Sequence, residues 1–411
     1  MNHFEEYCTK FVQAVGSKDG AVSPAIVSSA SFSYSTPELA EGIFDGSVKK
    51  PLYARMGNPT NARLESIMAE MDSGVGAIAT SSGMGATTLA VMSIVSMGDE
   101  IISIGGLFGG TYALFSETLT RFGIKTHFFD VDDFKAIEDA INANTKIIFL
   151  ESVGNPNMKL PNIKKIAAIA EKHGVVLIVD NTTTPLSISA IKLGADISVY
   201  STTKIISGNS SALGGCTVFR AINDGEDKLK SPRYEFLQKF IKGAKEMALF
   251  ANAKKRALRD FGMSANAYAS YLTLLGLETL PLRLSRVSKS IEIVALELNK
   301  NGLLINHPSL SSHEHHQRYL SDFKNGCGSL FTIDFKSKEK AFEFLNKTKL
   351  ATLTANIGDS RTLALHMAST IYRDFDEETR EFLGISDGLV RISMGLENPQ
   401  DIIEDFIAAS R

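Results

Sequence analysis

The chain has 411 residues, a length that suggests about two to three domains and lets roughly three quarters of the unfolded surface be buried. Apolar residues make up 44% and charged residues 22%, which excludes disordered, collagen-like and disulfide-stapled classes. Forty-three basic against 46 acidic side chains give a net charge of −3, so no global positive field recruits nucleic acid.

In chain order, residues 1–60 read as an irregular arm, punctuated by Pro24, Pro37, Pro51 and Pro59 with Ser, Gly and Asn between them. An arm of this length is expected to gain its order by lying on a second subunit. Residues 63–71 have helical spacing, and 86–95 have the near-continuous apolarity of a buried helix. Short apolar runs follow at 101–104, 126–129, 147–150, 175–179 and 197–200, with 216–219 after them. Helical stretches separate them, such as 161–173, with Pro161 near its first turn and Gly174 just past its end. Val and Ile on both faces of the runs predict an α/β fold with a mainly parallel sheet covered on both sides. Residues 235–260 are mixed helical and basic, and 271–299 read as one or two long helices. Strands at 328–335 and 390–393 and helices at 338–345 and 399–409 predict a smaller C-terminal α+β domain. The expected division is therefore an arm over 1–60, an α/β domain over 61–260 and the α+β domain over 261–411.

No apolar run of about 20 residues is long enough to span a bilayer. The first ten residues carry Glu5 and Glu6 and lack a basic-then-apolar signal pattern. Cys8, Cys216 and Cys327 form no C-x-x-C pair and read as core fillers in a reduced cytoplasm. His307, His313, His315 and His316 fit neither H-x₃-H nor H-E-x-x-H spacing, so they read as a polar loop and no metal is expected. The run from Gly74 to Ala79 fits G-x-G-x-x-A, but a helix precedes it and a strand follows, the reverse of a dinucleotide site. No Gly-Lys pair exists for a Walker A loop.

Other features carry chemistry. The turn Ser81-Ser82-Gly83-Met84-Gly85 follows a short strand and opens a helix, so its N–H groups can hold a phosphate; a plain tight turn has the same look. The strand 175–179 delivers Asp180 at its C-terminal end, where α/β sheets bind ligands. Twenty-four residues on, a second strand ends in Ser201-Thr202-Thr203-Lys204. Singly, Asp180 and Lys204 read as solvent-facing charges or members of an ion pair. Together with the turn they suggest pyridoxal phosphate (PLP): a lysine for a Schiff base and a carboxylate for the pyridine nitrogen.

The motifs occur in an order that resembles the Cys/Met-metabolism family of PLP enzymes. They are Tyr53 to Thr60, the Ser-Ser-Gly-Met turn, Asp180-Asn181-Thr182, Ser201 to Lys204, and Leu389 to Glu397 around Arg391. The resemblance runs from about residue 20 to the end. It implies the fold of type I PLP-dependent transferases, with Lys204 carrying the cofactor and Asp180 on its ring nitrogen. It also implies that Ser82, Gly83, Met84, Ser201 and Thr203 form the phosphate site, helped by Tyr53 and Arg55 from a neighbouring subunit of a homotetramer. Asn155 would face the ring oxygen, Phe108 would stack on the ring, and Arg391 would clamp the substrate carboxylate.

Within the family, position 108 usually carries tyrosine, and here Phe108 stacks without a hydroxyl. Methionine γ-lyases resemble this stretch but place a cysteine where Gly110 sits. Ala355-Asn356-Ile357-Gly358-Asp359 resembles the O-acetylhomoserine sulfhydrylases, as does His307-Pro308-Ser309-Leu310, and puts Asn356 at the substrate. After Lys204 the family often shows Gly-His; this chain has Gly208-Asn209. The resemblance thus implies γ-replacement on O-acetylhomoserine by a sulfur donor, with methionine γ-lyase or cystathionine γ-synthase as the alternative. A non-catalytic relative would have lost the lysine or the arginine, and both are present.

Overall fold

The computed structural model describes residues 3–16, 20–222 and 231–411. Seven strands form the larger sheet: β1 (Gly76–Thr80), β2 (Glu100–Ile104), β3 (Lys125–Phe129), β4 (Thr145–Glu151), β5 (Val176–Asp180), β6 (Ile197–Tyr200) and β7 (Gly215–Phe219). Their spatial order is β1-β7-β6-β5-β4-β2-β3. The pairings from β3 to β6 are parallel, and β7 runs antiparallel to both β6 and β1. Alternation along the strands feeds two cores. Ile147, Phe149 and Ile178 face one, while Ile148, Leu150, Leu177 and Val179 face the other. The uninterrupted apolar runs in the sequence are this two-sided burial.

The smaller sheet contains β8 (Ile305–Asn306), β9 (Leu330–Asp334), β10 (Thr352–Leu353), β11 (Leu363–His366) and β12 (Leu389–Ser393), ordered β10-β11-β12-β9-β8. Helices Lys338–Lys347 and Pro399–Ala409 place Phe344 and Phe406 against Phe331, Ile333, Val390 and Ile392. One 34-residue helix, Ala267–Lys300, joins the two halves despite Pro281 in its middle. Its Leu274, Leu277, Leu280 and Leu284 pack with the larger sheet, whereas Val287, Ile291, Val294 and Leu298 pack with the smaller.

The N-terminal 60 residues are not the irregular arm that their prolines suggest. A helix over Glu5–Val15 buries Phe11 and Val15, and Phe4 before it, in the core shared with helices Pro59–Met71 and Ala267–Lys300. The spacing of residues 4, 11 and 15 marks one helical face. Pro37 and Pro59 start helices: Thr36 caps Pro37–Asp45 by accepting from the Leu39 N–H, and Asn58 caps Pro59–Met71. Proline at a first helical turn loses no hydrogen bond, so there it marks a beginning. Outside these helices Ser31 forms an isolated antiparallel bridge with Tyr53. The histidines 307–316 lie before and around the start of the short helix His316–Asp322. His315 Nδ1 accepts from the Leu160 N–H at 3.0 Å, and its Nε2 lies 3.1 Å from Asp132.

Candidate active site

Parallel strands bring their C-terminal ends to one edge of the sheet. β4 ends there in Glu151 and β5 in Asp180, which are direct neighbours in register, and β6 runs on into Ser201–Lys204. From β1, which β7 separates from β6, the chain turns through Ser81 and Ser82 into the helix Gly83–Met92, whose first turn Ser82 caps by accepting from the Gly85 N–H at 3.0 Å. These ends surround a cavity of about 230 Å³. Ser82, Gly83, Met84, Phe108, Asn155, Asp180, Ser201, Thr203, Lys204 and Arg391 all line it. Asn356 joins them by accepting from Lys204 Nζ through its Oδ1 at 2.7 Å. Tyr53 and Arg55 do not line the cavity of their own chain: Tyr53 is exposed, and the Arg55 guanidinium donates to the Arg259 carbonyl.

Each wall has a distinct electrostatic character. Burial holds the Asp180 carboxyl above its ordinary range, against hydrogen bonds from the Thr182 side chain and from its N–H at 3.0 Å; among the described residues no cationic side chain offsets the desolvation. Burial, reinforced by the Asp180 charge, pushes Glu151 well above the carboxylate range, although the Phe108 N–H donates to it at 2.7 Å. Burial lowers Lys204 to about 8, helped by the Arg391 charge. Arg391 is itself lowered to about 10 by burial. It sits on β12 and donates to Asn155 Oδ1 at 3.1 Å and to the carbonyls of Ala355 and Asn356 at 3.2 and 3.3 Å. Gly83 lies so close to Ser201 that an added Cβ would stand 2.6 Å from the serine Cβ, so the helix start and the end of β6 form one continuous wall.

The family model described as Cys/Met metabolism PLP-dependent enzyme matches residues 8–410. The chain belongs to this family. An O-acetyl-L-homoserine sulfhydrylase from Leptospira meyeri is 35% identical over 373 residues, covering 86% of this chain and 84% of that one. An L-methionine gamma-lyase from Fusobacterium nucleatum subsp. polymorphum is 33% identical over 363 residues, covering 86% and 85%. A crystal structure from Campylobacter jejuni subsp. jejuni, provisionally described as an O-acetylhomoserine (thiol)-lyase with N'-pyridoxyl-lysine-5'-monophosphate, matches with a TM-score of 0.92 at 33% identity. The match covers 98% of this chain and 99% of that one.

As a member of this family the enzyme is PLP-dependent, and the cavity fits that cofactor. Asp180, a buried carboxylate without a cationic partner among the described residues, is suited to a protonated pyridine nitrogen. The N–H groups at the start of Gly83–Met92 suit a phosphate. The amine of Lys204, depressed by burial, suits attachment to an aldehyde. Sequence reasoning missed Glu151 as a site residue, although its place at the end of an apolar strand was the same signal that marked Asp180. It also missed Thr183 and Leu213 in the lining, and Ser210 and Asp359 behind Asn356.

Proposed function

We propose that the protein catalyses γ-replacement on O-acetyl-L-homoserine, with sulfide giving homocysteine and methanethiol giving methionine. The observation that carries this reading is Asn356, in a stretch that resembles the sulfhydrylases, whose Oδ1 accepts from Lys204 Nζ at 2.7 Å. Gly110 stands where methionine γ-lyases carry a cysteine, and the likeness to the Leptospira sulfhydrylase supports the same choice.

In this reading the turn at Ser82, Gly83 and Met84 holds the cofactor phosphate together with Ser201 and Thr203, and Tyr53 and Arg55 reach it from a second copy of the chain. Phe108 covers one face of the ring. Asn155, its oxygen engaged by Arg391, turns its amide nitrogen toward the ring oxygen. Bound there, PLP supplies an electron-withdrawing ring that accepts the electron pair left by a breaking C–H bond. Asp180 keeps the proton on the ring nitrogen. Arg391 orients the substrate α-carboxylate through its planar fork. The Lys204 amine takes the α-proton, for which a value near neutrality is suited. Acetate leaves from Cγ and sulfur adds at the same carbon, so no oxidant or reductant is consumed.

The reading includes a cytoplasmic homotetramer and a segment over 1–60 that touches the neighbouring subunit. It keeps a cofactor domain over 61–260 and a C-terminal domain over 261–411, the first half of whose long helix packs on the cofactor domain. Among the described residues, no helix is long and apolar enough to cross a membrane. Product analysis tests the chemistry: O-acetylhomoserine with sulfide should give homocysteine with little 2-oxobutanoate. Fast release of 2-oxobutanoate from methionine alone overturns the reading in favour of a γ-lyase. Preferential use of cysteine with O-succinylhomoserine overturns it in favour of a cystathionine γ-synthase.

A further inference from the structure

Behind the Lys204–Asn356 contact lies a chain of hydrogen bonds with only one possible direction. Asn356 Nδ2 donates to Ser210 Oγ at 2.8 Å. Ser210 Oγ donates to Asp359 Oδ2 at 2.5 Å, and Asp359 Oδ1 accepts from the Arg361 N–H at 2.9 Å and from its guanidinium at 2.8 Å. The ionised carboxylate of Asp359 can only accept, so the Ser210 hydroxyl is committed as donor on that side. It therefore offers a lone pair, and no proton, to Asn356. An amide turned by 180° would set its oxygen against that lone pair, which fixes Nδ2 on Ser210 and Oδ1 on Lys204.

The two loops that carry this chain are seated tightly. The Ser360 N–H donates to the Gly208 carbonyl at 2.9 Å, and Gly358, with φ +69°, has so little space that a Cβ would stand 2.5 Å from the Ile205 nitrogen. Ser210 itself adopts a left-handed φ of +56°, a conformation that few non-glycine residues take. Both loops are thus held in the one arrangement that lets the hydroxyl reach both partners.

We propose that Ser210, anchored by Asp359, is a positioning residue that fixes the polarity of the Asn356 amide, so that its oxygen and never its nitrogen meets the Lys204 amine. An oxygen there accepts from the ammonium and leaves the lone pair of the neutral amine free to take a proton. A nitrogen there would donate into that lone pair, favouring the neutral amine while blocking it as a base. The inference deepens the reading of Lys204 as the proton-transferring amine and rests on it.

The test is Ser210→Gly, which removes the hydroxyl while suiting the left-handed backbone. It alters no charge: Arg391, Asp180 and Glu151, which line the cavity with Lys204, and Asp359 behind the serine all remain. In the full-length chain stripped of cofactor, trace acetylation followed across pH by peptide mass spectrometry reads the titration midpoint of Lys204 from its own peptide. With the amide free to turn, the midpoint should fall by about half to one pH unit, the order of shift that one exchanged hydrogen-bond partner produces. In the loaded enzyme, the acid limb of the α-proton exchange profile for an unreactive amino acid should move the same way.

In an Asn356→Asp background the group facing Lys204 accepts whichever way it turns, so Ser210→Gly should leave the midpoint in place. A midpoint within about 0.2 unit of wild type for Ser210→Gly alone overturns the proposal, as does an equal fall in the Asn356→Asp background. Attachment of the pyridoxyl group to another lysine, found after borohydride reduction, would instead overturn the role of Lys204. The midpoints, read on Lys204 itself, keep the two failures apart.

Discussion

Two aspartates at opposite edges of the same sheet are both buried, and they live in different company. Asp196, just before β6, is fully buried, and its carboxylate accepts from the Leu177 N–H at 2.8 Å, Arg233 Nε at 2.9 Å and the Tyr234 hydroxyl at 2.7 Å, with Arg220 Nε at 3.1 Å. Asp180, at the end of β5, has hydrogen bonds from Thr182 and, among the described residues, no cationic partner. One edge surrounds its charge with donors from the chain; the other has few, which suits a carboxylate that would face the cofactor's ring nitrogen. Buried charge alone therefore marks neither stability nor function, and the completeness of its partners separates them.

Several substitutions would break or sharpen that contrast. The largest effect should come from the incomplete edge: Lys204→Ala should lower turnover by about a hundredfold to ten-thousandfold, the usual contribution of a positioned acid–base group. Its thermal midpoint without cofactor should stay close to wild type, and both are read by product assay and circular dichroism. At the complete edge the pattern should invert. Asp196→Ala strips two buried arginine contacts and should cost about 3–5 kcal/mol in denaturant unfolding. Asp180→Ala should cost under about 1 kcal/mol in the cofactor-free protein, since it removes a desolvated charge whose hydrogen bonds come from Thr182 alone among the described residues. Equal losses for the two aspartates would end the comparison.

Arg391→Leu probes an intermediate case, because its guanidinium has internal partners and is also aimed at the substrate. It should keep PLP bound, seen as retained visible absorbance, while kcat/KM falls at least about tenfold through loss of charge-assisted hydrogen bonds. The last test concerns a buried group completed in its neutral form, read through pH and not through activity. His307 lies 3.3 Å from Cys327 Sγ and 2.7 Å from Ser309 Oγ, and burial lowers it to about 3 from 6.5. The unfolded chain takes up this proton near pH 6.5 and the folded one near 3, so stability present above 6.5 is lost as pH falls between them. The slope should reach about 1.4 kcal/mol per pH unit. Urea midpoints across pH 4–7 should show a slope shallower by about one proton for His307→Gln.

The sequence was most readable where local pattern and tertiary role coincide. β4, β5 and β6 are apolar because both sheet faces are covered, and each ends where polarity returns, which exposed Asp180 and Lys204 to inspection. The helix Gly83–Met92 begins three residues before the apolar run that predicted it, because glycines at its first turn look like a turn while leaving N–H groups free at the cavity. The helix Glu5–Val15 was legible in principle from Phe4, Phe11 and Val15, but prolines further on drew the whole segment into one irregular reading. Nothing local could join Ser210 to Asp359, which are 149 positions apart. Their meeting is set by how the two sheets pack.

The helix Ala267–Lys300 has a mechanical consequence. At 1.5 Å per residue it is about 50 Å long, and its two halves belong to different cores. The halves of the enzyme are therefore mounted on one beam, with no slack linker between them. Any shift of Arg391 relative to Lys204 must flex that beam, and its softest point is Pro281, which lacks the N–H that would bind the Leu277 carbonyl. A cut placed before the beam would not release two working parts, because it would pull Leu274 and Leu277 out of the larger half.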